Sequence, residues 1–372
     1  MAKVAIIAGW APSLVNFRGT LIDRLVQLGH VVHALAPPAD ERTLHWLGER
    51  DIAFTAVPLS RAGMSPRDDF RTYRHFKSAF RTIRPDVTIS YTAKPVIYGT
   101  MAAAAADVPR CFAMITGLGY AFTATEASLK RSVANLAARA LYKVSLSKSQ
   151  GVIFQNPDDL AEFERLNLLP KGLPRTIVNG SGVDVAHFSP APYPDQLRFL
   201  MVARLVADKG VEEYIAAART LKAEHPDIVC ELVGPIDANP AALSPGLVDR
   251  AVADGVIIYR GELADVRSAL VDASVYVLPS YREGTPRSVL EAMAMARPAI
   301  TTDAPGCRET VVEGHNGFLV PVKDAAALAA AMKRFVFEPR LIAELGANSR
   351  TRAVEKYEAG KVADAIIAAC GL

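Results

Sequence analysis

The stretch VYVLPSYREGTPRSVLEAMAMARP, residues 275–298, decides how the chain is read. It opens with an apolar run, Val275–Ser280, that predicts a buried strand. A short polar loop follows. A helix is expected over Arg287–Ala296, with Pro286 near its first position, where a missing N–H is no loss. Glu283 lies on the loop and Glu291 in the helix, with seven residues between them. Gly284 and Thr285 are expected to bring bare backbone N–H groups to the helix N-terminus, a position that favours an anion. Glu291, about two turns further in, can accept hydrogen bonds from two hydroxyl groups. Two glutamates at this spacing are common, but a strand, Glu-Gly-x-Pro and a helix with a second Glu form a far more specific pattern.

The same alternation of strand and helix extends outward from this stretch. In the first half, strands are expected at Val4–Ala8, Val31–Ala36, Phe54–Leu59, Val87–Tyr91, Cys111–Thr116, Val152–Gln155 and Thr176–Asn179. In the second they are expected at Leu197–Ala203, Val229–Gly234, Val256–Gly261 and Pro298–Asp303, with helices such as Gly210–Lys222 between them. These runs are short and apolar on both faces, as in parallel sheets covered by helices. The pattern breaks at NGSGVDVAHFSPAPYPDQ, residues 179–196, where Gly, Pro and Asp concentrate and mark a linker. The fold class is therefore α/β. Two Rossmann-like, doubly wound domains are expected to face each other across an interdomain cleft, with ligands beyond the carboxyl ends of the strands.

The 372 residues, 51% of them hydrophobic, suit two domains with filled cores. Cys111, Cys230, Cys307 and Cys370 show no metal or redox spacing and are expected to be free thiols in a reducing cytoplasm. The opening MAKVAIIAGW is too short in apolar residues for a leader and reads as a first buried strand. No run of 18 apolar residues suggests a membrane span. Charge is uneven. Residues 1–190 hold 22 Lys+Arg against 15 Asp+Glu, a net +7, and the remainder holds 20 against 24, a net −4. A basic half joined to an acidic one suggests that the first half meets something anionic.

Further motifs fall after the expected strands. In VARLVADKG, residues 202–210, Arg204 and Lys209 are placed to neutralise a diphosphate. GWAPSLVNFRGTLIDRL, residues 9–25, is a loop with Gly9, Ser13, Asn16 and Gly19. It lacks the G-x-G-x-x-G spacing, which argues against a dinucleotide. Lys94, in YTAKPVIYG, and Thr116-Gly117, in TGLGYAF, each follow a first-half strand. Lys94 is placed either to hold a phosphate or to lie on the surface as an ordinary lysine. Seven Lys/Arg between Arg61 and Arg84 interleave with Phe70, Tyr73, Phe76 and Phe80. SLKRSVANLAARALYKVSLSKSQ adds five cations, with Leu129, Val133, Leu136, Ala140 and Val144 on one helical stripe. Such helices suit an anionic membrane surface. No base-stacking module points to nucleic acid. The chain has no Asp-x-Asp, and its seven His form no i, i+4 pair. No metal and no other cofactor is therefore expected. Charge on a departing diphosphate would fall to Arg204, Lys209 and the helix dipole.

EGTPRSVLEAMAMARPAITTDAPGCRETVVEGHNGFLV together with ARLVADKG resembles the family 4 glycosyltransferases of the GT-B fold, and the resemblance covers nearly the whole chain. It implies that Glu291 holds ribose hydroxyls and that Glu283 touches the donor sugar. Arg204 and Lys209 would bind the diphosphate, and Glu283, Arg204 and Lys209 would form the catalytic set. Gly284, Thr285 and Pro286 would pack on sugar and phosphate, and Arg260, Gly261 and Leu263 would form the base-binding turn. Asn16 and Gly19 would complete the donor side, while Lys94, Thr116 and Gly117 would serve the acceptor. Residues 1–187 would be the acceptor domain and 188–354 the nucleotide-sugar domain, with a closing helix over 355–372 free to cross back. VNFR, AKPVIYG, TGLGYAF and NGSGVD are similar to the branch acting on polyprenyl-diphosphate-linked sugars, which includes diacetylbacillosamine N-acetylgalactosaminyltransferases. The implied reaction is a retaining, metal-independent transfer of GalNAc or GlcNAc from a UDP-sugar to an undecaprenyl-diphosphate-linked saccharide. It would take place at the cytoplasmic face of the bacterial membrane. A UDP-sugar epimerase of the same fold, or another transfer in capsule or O-antigen assembly, is the alternative. Two departures stand out. Thr116-Gly117 lies where many members place a His, which puts a catalytic His in doubt. Ala296-Arg297 stands where a Gly usually precedes the helix-ending Pro, and there only a local backbone adjustment is expected.

Overall fold

Every pairing between strands in the described residues is parallel. The computed structural model describes residues 1–60, 65–118, 129–236, 243 and 246–372. One compact unit comprises Met1–Ser181 with Ala359–Leu372, and the other comprises Gly182–Glu358. In the first, β1 (Lys3–Ile7), β2 (Val31–Ala36), β3 (Ala53–Ala56), β4 (Val87–Tyr91), β5 (Arg110–Ile115), β6 (Gly151–Phe154) and β7 (Arg175–Ile177) form one sheet in the order β3-β2-β1-β4-β5-β6-β7. In the second, the strands are β8 (Arg198–Val202), β9 (Val229–Val233), β10 (Ile258–Tyr259), β11 (Val275–Leu278), β12 (Ala299–Thr302) and β13 (Gly317–Val320). Their order is β10-β9-β8-β11-β12-β13.

Alternation along β1 explains its unbroken apolar run. Val4 and Ile6 join a core with Ile22 and Leu25 of helix Gly19–Gln27 and with Val362, Ile366 and Ile367 of helix Ala359–Ala369. Ala5 and Ile7 face the other way, onto Phe76 and Phe80 of helix Pro66–Ile83. Each face carries its own helical cover, so neither needs polar residues. All four cysteines are free and buried.

Several boundaries differ from the expectation. The strand expected over 256–261 shrinks to two residues, because the amides of Val256 and Ile257 both donate to the Ala251 carbonyl (2.9 and 3.3 Å) and close the preceding helix. The four-residue β13 was not expected at all; it is an edge strand that opens on Gly and runs into Pro321. The junction lies at Ser181–Gly182, ahead of the expected 187/188. Val183 donates to the Tyr357 carbonyl (2.7 Å) and bridges to Glu358, and Val183 and Phe188 join the second unit's core. The closing segment returns to the first unit from Ala359 rather than from 355.

Ala296-Arg297 involves more than a local adjustment. Ala296 adopts a left-handed conformation (φ 61°), as the glycine of related sequences would. Arg297 is fully buried and donates to the carbonyls of Leu270 (3.0 Å), Pro192 (2.8 Å) and Val271 (3.1 Å), with its guanidinium over the Tyr193 ring. Burial holds its pKa below the ordinary arginine range. Replacing Ala296 by Gly relieves the backbone, and a stabilisation of about 0.5–1 kcal/mol is expected. Arg297→Ala strands three carbonyls, and a loss of about 3 kcal/mol or more is expected. Urea unfolding of both variants checks the opposite signs.

Candidate active site

Strand order creates the site. β8 and β11 are neighbours, with Val275 opposite Phe199 and Tyr276 opposite Leu200. The chain leaves β8 toward β9 on one side, while β11 continues to β12 on the other. The loops beyond such a pair diverge and leave a crevice at the carboxyl ends. The first loop carries Arg204 and then a three-residue turn, Ala207–Lys209, that leads into helix Val211–Glu224. The second carries Ser280–Thr285 and leads into helix Arg287–Ala294. The two loops touch through backbone. Gly210 has φ 73°, and a Cβ there would collide with the Pro279 carbonyl. Gly306 has φ 79°, and a Cβ there would strike the carbonyls of Glu283 and Gly284. Neither position accepts a side chain. The Glu283 amide donates to the Pro305 carbonyl (2.9 Å), which fixes the Glu283 loop from behind.

These contacts bring Lys209 Nζ onto Glu283 Oε1, joining two residues 74 positions apart. Arg204 lies exposed at the mouth of the β8 loop. Pro286 is the cap residue rather than the first helical residue, so Gly284 and Thr285 belong to the loop before the cap and not to the helix terminus. Glu291 accepts from Arg287 Nε one turn earlier (2.8 Å), and its side chain keeps 12% exposure. Burial raises its pKa, and Arg287 offsets part of that effect. Burial, with Glu283 adding to it, pushes the nearby Cys307 thiol up to about 12, so it stays protonated and inert.

The turn after β10 offers less side-chain chemistry than expected. Arg260 is held by Glu231 (3.2 Å) and Asp272 (3.1 Å), and Glu231 also binds Arg198 (2.7 Å). What the turn can present is backbone and Leu263. Leu263 rests partly buried on the core, and Gly261 accepts the Gly234 amide (2.8 Å).

In the first unit the corresponding pair is β1 and β4. Asn16 ends the short helix Pro12–Asn16 after β1 and is half-buried. Gly19 opens helix Gly19–Gln27 and is buried, and a Cβ there would meet the Trp46 ring (3.3 Å). Lys94 is neither a phosphate-ready cation nor a loose surface lysine. Its Nζ pairs with Asp69 (2.7 Å), whose other oxygen accepts from Tyr98 (2.9 Å). Thr116 and Gly117 follow β5 and are partly exposed. The rest of that motif, Gly119–Phe122, lies outside the described residues, as does Arg61. Among the described residues no three His, Cys, Asp or Glu side chains group as a metal site.

Two family models match the chain. Residues 17–180 match a "Glycosyl transferase 4-like domain" and residues 196–337 match "Glycosyl transferases group 1". The chain belongs to the GT-B glycosyltransferases. Along 96% of its length, this glycosyltransferase is 28% identical to the N,N'-diacetylbacillosaminyl-diphospho-undecaprenol alpha-1,3-N-acetylgalactosaminyltransferase of Campylobacter jejuni, covering 95% of that protein. Its fold is similar to that of a sucrose-phosphate synthase from Thermosynechococcus elongatus, with TM-score 0.81 and 20% identity over 98% of this chain and 97% of the other. Anabaena HepE, solved with UDP-glucose, aligns over the whole of both chains with TM-score 0.77 and 15% identity.

Sequence reasoning missed several residues of the glycosyltransferase that its fold places beside these loops. Arg18 is buried, stacks over Tyr91 (4.9 Å) and donates to Ser181 Oγ (3.2 Å). Thr92 follows with φ 68°, unusual for a β-branched residue. VNFR and NGSG stood out in the sequence, but nothing in one dimension pairs Arg18 with Ser181. Glu291 gives a pH test. Its native pKa lies above the ordinary 4.5, so the folded chain holds this proton more tightly than the unfolded chain does. The stability this lends is complete below pH 4.5 and is lost as pH rises through the native pKa. Glu291→Gln is therefore expected to melt higher than the parent at pH 7–8, and the gap should close toward pH 4.5. Thermal melts across pH check this, and a constant gap would contradict it.

Proposed function

We propose that this glycosyltransferase moves a hexosamine, GalNAc or GlcNAc, from a UDP-sugar to an undecaprenyl-diphosphate-linked saccharide in bacterial envelope glycan or glycoprotein assembly. The observation that carries the proposal is the convergence of Lys209, Glu283 and the Glu291 helix at the β8–β11 crevice. In this reading Lys209 and Arg204 receive the diphosphate as it departs. Glu283 faces the donor sugar beside Lys209, and Glu291 accepts two ribose hydroxyls. Gly284, Thr285 and Pro286 line the sugar-phosphate path, and the 260–263 turn supports the base by backbone. Asn16 and Gly19 are assigned to the donor, and Lys94, Thr116 and Gly117 to the acceptor, with Lys94 acting through its Asp69 pair. Two cations and a helix terminus supply the positive charge, so the proposed chemistry needs no metal, and retention at the anomeric carbon is proposed from the resemblance to family 4. HepE with UDP-glucose supports a UDP donor, and the Campylobacter relative supports a lipid-linked acceptor.

A lipid-linked acceptor calls for a membrane-facing surface. Helix Pro66–Ile83 turns Arg67, Arg71, Arg74 and Arg81 outward, with Phe70 61% exposed among them. Helix Leu129–Leu146 exposes Leu136 and Val144 beside Lys143. Among the described residues no helix is long and apolar enough to cross a membrane. The proposed location is therefore peripheral, on the cytoplasmic face.

A screen of UDP-hexosamines against extracted lipid-linked acceptors, reading released UDP, tests the reaction. Lys209→Ala and Glu291→Ala are each expected to lower transfer by about 10²-fold or more in folded protein. Wild-type turnover in either would remove that residue from the site. Vesicles rich in phosphatidylglycerol are expected to bind the protein, and phosphatidylcholine vesicles to bind it weakly. Arg71→Glu with Arg74→Glu should abolish the difference, since each basic residue contributes about 1 kcal/mol at such a surface. Equal binding to both vesicle types would contradict the basic-helix account.

A further inference from the structure

Lys209 sits on a short turn closed by two backbone hydrogen bonds, from Lys209 to Val206 (3.1 Å) and from Gly210 to Ala207 (2.9 Å). The turn Ala207–Lys209 buries none of its residues and has no side-chain cap. A lysine side chain adds several rotatable bonds, with about 2 kcal/mol of rotamer entropy. Beyond its pair with Glu283, the ammonium depends on how the turn is anchored from outside, and the structure points to the residue two positions before Glu283.

Tyr281 grips the turn at both ends. Its backbone amide donates to the Asp208 carbonyl (2.9 Å), immediately before Lys209. Ser280 Oγ donates to the same carbonyl (3.1 Å). Beyond Lys209, the Tyr281 hydroxyl donates to Glu213 Oε1 (2.6 Å), in the first turn of helix Val211–Glu224. The ring is held in turn by the Lys323 ammonium above it (5.1 Å) and by the Ser280 carbonyl's acceptance of the Thr302 hydroxyl. Burial, reinforced by Glu213, raises the pKa of the phenol, so it remains a donor across the working pH range.

We infer that Tyr281 is a positioning residue that sets the Lys209 ammonium against Glu283 by bonding the Asp208 carbonyl and the Glu213 carboxylate on either side of it. This inference rests on the proposed role of Lys209 as the diphosphate cation. Tyr281 touches no reacting atom; it acts through Lys209. Stretch 280–283 thereby supplies both the Glu283 carboxylate and the fixture for the cation that faces it. A displacement of about 1 Å in such a group is enough to lose a large factor in function.

The test is a double-mutant cycle read by calorimetry with UDP, which needs neither the sugar nor the acceptor. Tyr281→Phe keeps the ring and its Lys323 contact and removes only the hydroxyl. It is expected to weaken UDP binding about 5–10-fold, with the melting temperature held within about 2 °C. In a Lys209→Ala background the same change is expected to add nothing, since the group it positions is gone. Glu213→Leu should reproduce the Tyr281→Phe loss, and Glu213→Gln, which keeps an acceptor oxygen, should restore most of the affinity. Additive losses in the double variant, or unaltered UDP affinity in Tyr281→Phe, would overturn the positioning role while leaving Lys209 in place. Unaltered UDP affinity in Lys209→Ala, or none in the parent, would overturn the reading of the site and this inference with it.

Discussion

Parallel pairing of β8 with β11 is the constraint on which the rest of the second unit depends. Two strands that are far apart in sequence end side by side, and their chains then leave in opposite directions. This pairing sets the loop of residue 209 beside the loop of residue 283. Glycine completes the arrangement, because Gly210 and Gly306 let three loops meet backbone to backbone where any side chain would force them apart. Main-chain packing sets the loops at this site, and the Tyr281 hydroxyl on Glu213 adds a side-chain anchor.

Electrostatics then divides the two glutamates. Glu283 is ion-paired with Lys209. Glu291 sits in a drier place, where burial favours the neutral acid and Arg287 only partly compensates. The same residue type therefore sits in two settings, one on the loop and one a single helical turn past Arg287. A carboxylate whose charge is already disfavoured gains more from polar partners than one fully satisfied by a salt bridge.

Much of this was legible in the sequence because the fold obeys period and composition. Both-face apolar runs announced parallel sheets, and the positions of β2, β4 and β11 could be read almost to the residue. Strand ends were less legible, because they depend on which amides a helix end captures, as at Val256 and Ile257. The Glu-Gly-x-Pro stretch marked the loop that meets the Lys209 turn, but Tyr281 drew no reading, because its partners Asp208 and Glu213 lie some seventy residues earlier. The Lys94 pair was hidden for the same reason. Asp69 looked like one acid among many bases, and only the fold shows it buried under Tyr98 and Lys94. Local pattern conveys elements and motif chemistry; it does not convey which distant group claims a charge.

The return of helix Ala359–Ala369 to the first unit has a consequence for biosynthesis. Ile22 and Leu25 complete their core only with Val362, Ile366 and Ile367. On the ribosome, residues 182–358 must all be translated between those two events, which takes roughly ten to thirty-five seconds at ordinary elongation speeds. Throughout that interval the nascent amino-terminal sheet presents an uncovered oily flank. The later-made half, whose segments are contiguous, can finish folding first. Maturation order is then reversed relative to the order of translation, and a holding chaperone would be most useful against the earliest residues to emerge.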